Sequence, residues 1–214
     1  MGRANSLRTR LLYSLAIVLV LFLGVMGWVI DQAFKNSTEQ SIREKLLLHT
    51  YGLLSVSDQV DDASLFLPEV LYEPRFNTLG SGLYALVFAA PRSEIWRSPS
   101  SLDLEPAVDR IVAMVDGLTP GDARFGKTTI DDREKFFFAY QVLWETSEDG
   151  GDRYTYVVLE DSGPFRKQVA EFRNGLWGGM LGVVLLLLVV QGAIMRWSLA
   201  PLRQIADELS AMVI

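Results

Sequence analysis

Two long apolar runs divide the chain and set its organisation. Neither the run from Leu11 to Ile30 nor the run from Leu176 to Met195 contains a charged side chain. A helix of that length, rising about 1.5 Å per residue, extends about 30 Å and matches the hydrocarbon core of a bilayer. The pattern therefore predicts two transmembrane helices, at residues 11–30 and 176–195.

A cleaved signal peptide is the alternative for the first run. The apolar region of such a peptide has about 7–15 residues and ends in a small-residue cleavage site. This run is longer, and its end at residues 26–30 contains no such site. Arginines precede the first run and follow the second, so the positive-inside rule places both the leader, 1–10, and the segment 196–214 in the cytoplasm. Residues 31–175 are expected on the opposite side of the membrane.

The segment between the spans alternates between helical and strand periodicity. Helical spacing predicts a helix from Asp31 to about His49 that continues the first span. Short apolar runs at 53–56 and 64–67 flank a polar turn and predict a hairpin. Further strands are predicted at 82–89, 95–98, 125–130, 135–145 and 153–160, and helices at 106–117 and 164–173. Because tight turns join the strands, the pattern predicts an α+β domain with a mostly antiparallel sheet.

Charge and composition narrow the possible functions. Residues 31–175 contain 15 basic and 24 acidic side chains, a net charge of −9, and the scattered basic residues argue against nucleic-acid binding. The sequence has no cysteine, which excludes disulfides, thiolate zinc sites and cysteine nucleophiles. It also has no P-loop, no Gly-x-Ser-x-Gly and no metal-binding histidine pair. No catalytic constellation is visible.

Carboxylates grouped on turns are the candidate cation sites, because Ca²⁺ and Mg²⁺ bind several oxygen ligands. Asp131, Asp132 and Glu134 form the first candidate. The second is Glu148, Asp149 and Asp152, and a third acidic turn contains Asp58, Asp61 and Asp62. None of the three has the glycine-spaced pattern of a dedicated calcium loop, and an ordinary solvated surface is the alternative for each. An acidic face close to an anionic membrane requires bridging cations, which favours a site near the bilayer.

His49 is the only histidine, and the topology restricts what it can do. A phosphoacceptor histidine needs cytoplasmic ATP, whereas His49 is expected on the far side of the membrane. We predict a partly buried structural histidine, with pH sensing as the alternative.

The second span and the segment after it contain residues suited to helix packing. Overlapping small-xxx-small pairs are formed by Gly175, Gly178, Gly179 and Gly182. Gln191 is a polar side chain expected to prefer the interior of a helix bundle. Pro201 interrupts the helical hydrogen bonds and separates the span from a new amphipathic stretch. Its apolar positions, spaced three, four and three apart, are Leu202, Ile205, Leu209 and Met212. This seam is predicted to pack against a second copy.

Four pieces of the sequence resemble PhoQ-like bacterial sensor histidine kinases. The stretch 74–85 resembles the entry to the family's central strand, and Ile95-Trp96-Arg97-Ser98 resembles the next strand. Residues 154–161 resemble the last sensor strand, and 197–202 resemble the start of the HAMP signalling linker. The resemblance covers essentially the whole chain.

The resemblance implies a PAS-like (PDC) periplasmic sensor domain in a homodimer of the bacterial inner membrane. It implies a cytoplasmic kinase, absent from this chain, that binds ATP and phosphorylates a response regulator. It also implies Mg²⁺ or Ca²⁺ as a signal, held by an acidic run facing the membrane. At the matching position, 131–135, basic residues interrupt the acids.

The sequence therefore predicts the input half of a two-component sensor kinase, with no cofactor and no catalytic domain of its own in this stretch. One alternative is a membrane-anchored periplasmic binding or scaffold protein. Another is the sensor half of a chemoreceptor or nucleotide cyclase, because those classes share this layout.

Overall fold

The computed structural model describes residues 3–61, 64–89, 93–144 and 151–198. Contacts divide the chain into two compact units. The helical unit lies within Met1–Lys35 and Gln168–Ile214, and the sheet unit is Asn36–Lys167. The fold is α+β, as predicted.

The described residues form three α-helices and seven β-strands. The helices are α1 (Arg3–Val56), α2 (Val108–Val115) and α3 (Gly163–Ser198). The strands are β1 (Asp58–Asp61), β2 (Ser64–Phe66), β3 (Leu83–Ala89), β4 (Ser93–Arg97), β5 (Ala123–Ile130), β6 (Arg133–Trp144) and β7 (Asp152–Asp161). Short 3₁₀ segments cover Pro74–Asn77 and Pro99–Ala107.

Five strands form one antiparallel sheet in the order β4-β3-β7-β6-β5, and β1 pairs with β2 in a separate hairpin. The middle strand, β7, pairs with β3 through Leu83↔Glu160 and with β6 through Lys135↔Asp161. Every residue of β7 from Tyr154 to Glu160 is buried, and all but Thr155 and Glu160 are apolar or aromatic. A strand buried on both faces needs an apolar run rather than strict alternation, which explains why β3 and β7 were predicted from sequence.

The sheet has a helix on each face. On one face, α2 and the preceding 3₁₀ segment cover an apolar cluster that includes Leu86, Leu104, Ile111, Val157 and Leu159. The other face meets α1, and the Tyr156 hydroxyl donates at 2.9 Å to Oγ of Ser57, the residue that follows this helix. Burial raises the pKa of Tyr156 to about 12, so this phenol stays protonated and keeps its hydrogen bond at neutral pH.

Helix α1 is longer than the sequence predicted. The run 53–56 was expected to be a strand, but it is the last turn of α1, and the hairpin begins only at Asp58. Leu46, Thr50 and Leu53 lie at helical spacing and are all buried. Burial of these three side chains stabilises the helix in a stretch where the local composition suggested a strand.

The helical unit contains the two apolar segments. Within Tyr13–Val56 and Gly163–Ile194, windows of 18 residues reach mean hydropathies of 2.4 and 2.1. Both helices are long and apolar enough to cross a membrane, and almost none of their apolar windows is buried within the chain. The two helices are therefore compatible with transmembrane spans.

Candidate functional site

The junction between β7 and α3 concentrates the buried charge of the sheet unit. Strand β7 ends at Asp161, and α3 begins at Gly163. The last two residues of β7 are both acidic, and each forms ion pairs with lysine or arginine side chains of other elements. Because side chains alternate along a strand, the two carboxylates lie on opposite faces of the sheet.

Glu160 faces α1. Its Oε1 accepts hydrogen bonds from Lys45 Nζ at 2.7 Å and from Arg75 Nη1 at 2.8 Å. Burial opposes ionisation, but the hydrogen bonds from Lys45 and Arg75 prevail and lower the pKa of Glu160 below its ordinary value. The ionised carboxylate therefore connects the end of β7 to α1 and to the 3₁₀ segment before β3.

Asp161 lies on the other face and pairs with Lys135 of β6. The Lys135 side chain is only 3% exposed, and its ammonium group also lies 4.4 Å from the centroid of the Tyr84 ring and 3.3 Å from the Tyr84 hydroxyl. A buried ammonium requires such partners, because an unpaired charge in the interior is strongly destabilising. Strands β3, β6 and β7 therefore share one charged contact where α3 begins.

A fourth basic residue, Lys127 of β5, contacts the parts of α1 and α3 that pack on the sheet. Its Nζ lies 2.9 Å from Glu39 Oε2 on α1. The same ammonium lies 5.0 Å from the ring centroid of Phe136 and 5.7 Å from that of Phe165 on α3. Sequence reasoning missed this residue, because nothing local distinguishes Lys127 from a solvated lysine.

The first predicted cation cluster forms a tight turn. Asp131 and Asp132 have φ of 50° and 58° and connect the paired residues Ile130 and Arg133. Two central residues with positive φ in a two-residue hairpin are typical of a type I′ turn, and aspartate tolerates this conformation better than most residues. Glu134 follows in β6. The turn lies at the end of the sheet where α3 begins.

The described residues contain no group of three or more His, Cys, Asp or Glu side chains close enough to hold a metal ion. Cation binding at Asp131, Asp132 and Glu134 stays a prediction. In the second cluster, Asp152 begins β7, whereas Glu148 and Asp149 lie outside the described residues. In the third, Asp58 and Asp61 bound β1, and Asp62 lies outside the described residues.

His49 lies on α1, where its ring meets the Phe76 ring edge-on at a centroid distance of 5.6 Å. Its buried Nε2 has no hydrogen-bond partner within the described part of the chain. Burial, reinforced by the nearby charge of Lys45, lowers the pKa of His49. A half-buried, neutral imidazole fits the predicted structural role.

In the helical unit, α1 and α3 contact each other at an ion pair and at two apolar contacts. Arg173 binds Asp31 through two hydrogen bonds, and the rings of Phe34 and Phe172 stack at 3.7 Å. At Gly27, an added Cβ would lie 2.5 Å from Met180 Sδ, so the methionine packs directly on the glycine and its flexible end would have to shift for a larger residue. Sequence analysis singled out neither the ion pair nor Gly27.

The glycines predicted to pack in the second span are open in the single chain. A Cβ added at Gly175, Gly178, Gly179 or Gly182 would meet no atom within 4 Å. Gln191 Oε1 is buried and has no hydrogen-bond partner among the described residues. The predicted packing of this face on another helix therefore stays a prediction. Pro201, Leu202, Ile205, Leu209 and Met212 lie outside the described residues.

Comparison with known proteins adds one distant relationship. No protein-family model matches the chain. The chain is 24% identical over 209 residues to the two-component sensor PhoQ of Pseudomonas aeruginosa. The match covers 96% of this chain and 44% of that protein, so the chain spans less than half the length of its relative. It supports a relationship to sensor histidine kinases.

Proposed function

We propose that this chain is the input half of a two-component sensor histidine kinase in a bacterial inner membrane. The sheet unit is the periplasmic sensor, of the PAS-like (PDC) class, and α1 and α3 contain the transmembrane spans. The observation that carries the proposal is continuity: β7, the central strand, passes within two residues into α3, which extends without a break through the second apolar segment. The distant similarity to a two-component sensor supports it.

A rigid helix attached to the middle of a sheet is suited to carrying a change in packing across a bilayer. Glu160 binds the end of β7 to α1, and Asp161 binds it to β6. Lys127 of β5 contacts α1 and the first turn of α3. A ligand shifts such a system only if it binds one of two packings better than the other. In this proposal the two packings differ in how the sheet unit holds α1 and α3.

The remaining parts of the proposal concern partners. In a homodimer, four transmembrane helices would pack together, with the open face of Gly175, Gly178, Gly179 and Gly182 against a neighbouring helix. The stretch beginning at Pro201 would start a HAMP linker that connects α3 to a cytoplasmic kinase, which uses ATP and passes a phosphoryl group to a response regulator. Divalent cations at the Asp131–Asp132 turn are one candidate signal.

A chimera tests this function. Residues 1–214 are joined at the HAMP linker to the kinase region of a two-component sensor, and phosphotransfer to its response regulator is measured in membrane vesicles. Glu160→Gln should change the steady level of phosphorylated regulator, because it weakens the contact between β7 and α1. Arg97→Gln, on edge strand β4 away from the junction, is the control and should leave the level unchanged. Equal output from both variants and the parent chimera would contradict the proposal.

A further inference from the structure

A groove of about 460 Å³ lies between the last turns of α1 and the segment 71–76 that precedes β3. The α1 side of the groove is lined by Leu48, Gly52 and Val56, and the other side includes Leu71 and Phe76. A Cβ added at Gly52 would meet no atom within 4 Å, so the groove is open above this glycine. Because its lining is mostly apolar, the groove is suited to an apolar or aromatic side chain.

Tyr72, at the rim of this groove, is fully exposed, although its neighbours in the chain are held firmly. Leu71 is buried, and its backbone N–H and C=O both form hydrogen bonds with the Asn77 side chain, at 2.9 and 2.7 Å. On the other side, Glu73 Oε1 accepts a hydrogen bond from Arg75 N at 3.2 Å. The backbone around Tyr72 is therefore fixed while its ring lies in solvent, outside its own groove. A rigidly presented aromatic side chain loses little entropy on binding and is typical of an interface anchor.

The end of α1 beside the groove is free of charged residues. Residues 46–57 contain no Asp, Glu, Lys or Arg, although residues 31–175 as a whole have a net charge of −9. Leu48 and Tyr51 are nevertheless 68% and 50% exposed in this stretch. Among the described residues that line the groove, only Glu73 is charged, because burial keeps His49 neutral. Exposed apolar and aromatic side chains with few charges among them are typical of the core of a protein interface.

These features favour a second copy of this chain as the occupant. Two copies that lie in one membrane with the same orientation are related by a two-fold axis along the membrane normal, and such an axis pairs a surface with the same surface of the partner. The Tyr72 ring and the groove lie side by side, so the ring of each copy can enter the groove of the other. Two acidic domains repel each other, and a patch with few charges is where they can touch at the least cost. A basic or acidic partner would find almost no opposite charge there.

We propose that in the homodimer the Tyr72 ring of each copy inserts into the groove of the other, over Gly52 and beside Leu48. This contact rests on the homodimer of the proposed function and adds the surface through which the sheet units meet. An aromatic side chain buries about 150–250 Å², whereas a stable interface needs about 800 Å² from each partner. The contact is therefore too small to hold a dimer by itself, and it can open while the membrane spans keep the two copies together.

Disulfide crosslinking tests the contact, because the chain has no cysteine of its own. Two copies of the full chain with different affinity tags are co-expressed, one with Leu48→Cys and the other with Tyr72→Cys, and the membranes are oxidised before purification. Each copy then has a single cysteine, so a disulfide that joins the two tags joins two copies. In the control, Leu102→Cys replaces Leu48→Cys. Leu102 is 59% exposed but lies in the 3₁₀ segment on the α2 face, so it should not crosslink to Tyr72→Cys.

Gly52→Leu provides a second variant, which fills the groove in both copies. No atom lies within 4 Å of the added Cβ, and leucine is a better helix former than glycine, so this variant should fold. It should abolish the disulfide between Leu48→Cys and Tyr72→Cys. Ser55→Leu adds a leucine at an exposed position of α1 outside the groove and should leave the disulfide unchanged.

The outcomes separate this contact from the proposed function. Copies that co-purify through their tags but form no disulfide would overturn the contact and leave the homodimer standing, and a groove that holds another protein or a small apolar molecule would give this result. Equal crosslinking of Leu102→Cys, or equal loss in Gly52→Leu and Ser55→Leu, would also overturn the contact. Copies that do not co-purify at all would overturn both the contact and the homodimer.

Discussion

Arg173 holds Asp31 with both arms of its guanidinium group, from Nε to Oδ1 at 3.0 Å and from Nη2 to Oδ2 at 3.1 Å. The two residues are 142 positions apart in the chain, and each lies just outside a predicted span. A bidentate pair fixes the relative orientation of its partners more strictly than a single contact does. The pair therefore fixes how α1 and α3 align within the helical unit.

Exchanging the charges of Asp31 and Arg173 tests whether their contact stabilises the chain as an ion pair. Asp31→Arg and Arg173→Asp should each lower the thermal unfolding temperature of the chain in micelles, because each places two like charges together. The double variant should recover most of that loss, since the pair is restored in the opposite sense. Circular dichroism at increasing temperature measures all four proteins. If the double variant loses as much as the two single variants combined, the contact does not contribute as an ion pair.

Asp161→Asn should be the most destabilising single charge removal in the sheet unit. It leaves the buried ammonium of Lys135 without its carboxylate, which costs about 3 kcal/mol or more in the free energy of unfolding. Glu94→Gln is the control, because the Glu94–Arg97 pair lies on edge strand β4 and should contribute about 1 kcal/mol or less. Urea unfolding followed by tryptophan fluorescence gives both values. Similar losses in the two variants would refute the distinction.

The stability of the chain should fall as the pH drops below about 6.5, the ordinary pKa of histidine. The pKa of His49 is lowered in the folded state, so the unfolded chain binds the proton first and gains from acidification. His49→Gln should remove this dependence between about pH 7.5 and 5.5. Glu160 also has a lowered pKa, but the stabilisation it provides is lost only as the pH falls below 4.5, the ordinary pKa of glutamate, which lies outside this range. Urea midpoints measured across the range test the prediction, and parallel curves for both proteins would contradict it.

Neutralising the Asp131–Asp132 turn should reduce the response of the chain to divalent cations. The variant changes Asp131 and Asp132 to Asn and Glu134 to Gln. Asparagine tolerates positive φ as well as aspartate does, so the turn should be retained. Thermal unfolding in nanodiscs containing anionic lipid is compared with and without millimolar Mg²⁺, because lipid phosphates can supply the oxygen ligands that three carboxylates alone do not.

The control for the cation test removes the same number of charges elsewhere, at Glu44, Glu69 and Asp109. Stabilisation by Mg²⁺ should be smaller in the turn variant than in the parent, and unchanged in the control. Equal responses in the parent and both variants would identify the turn as ordinary solvated surface. Equal reduction in both variants would show that Mg²⁺ acts through net charge alone.

Topology is tested by fusing a reporter that is active only outside the cytoplasm. A fusion after Asp103 should be active and a fusion after Ile214 inactive, because arginines flank both spans on the same side of the membrane. Because the chain lacks cysteine, single cysteines introduced at exposed sites provide an independent measurement by labelling of intact cells. The opposite pattern of activity would contradict the predicted orientation.

The sheet was readable from the sequence because its central strands are buried on both faces. Short, largely apolar runs such as those of β3 and β7 are typical of buried strands. The predicted bounds of both strands agree with the structure to within about two residues. The end of α1 was predicted wrongly at 53–56. There, a short apolar run fits a strand and a helix equally well, and only burial of Leu53 against the domain decides between them.

Most contacts at the candidate sites could not be predicted from the sequence. Asp31 and Arg173, or Lys45 and Glu160, lie more than a hundred residues apart, and no local pattern relates such pairs. The Asp131–Asp132 turn was interpreted as a candidate cation cluster because its carboxylates are grouped. Its type I′ geometry was not predicted, since the turn lacks the glycine that usually marks this turn type.

Glu160 and Asp161 are joined by one peptide bond, yet their side chains contact different elements on opposite faces of the sheet. A movement of α1 changes the surroundings of the first carboxylate, and a movement of β6 changes those of the second. Because the two residues are consecutive in the backbone, a displacement on either side of the sheet changes the free energy of the ion pairs at the start of α3. In the proposed sensor, two stimuli that act on opposite faces of the sheet would therefore reinforce or cancel each other at this linkage, which would sum several inputs without a dedicated relay for each.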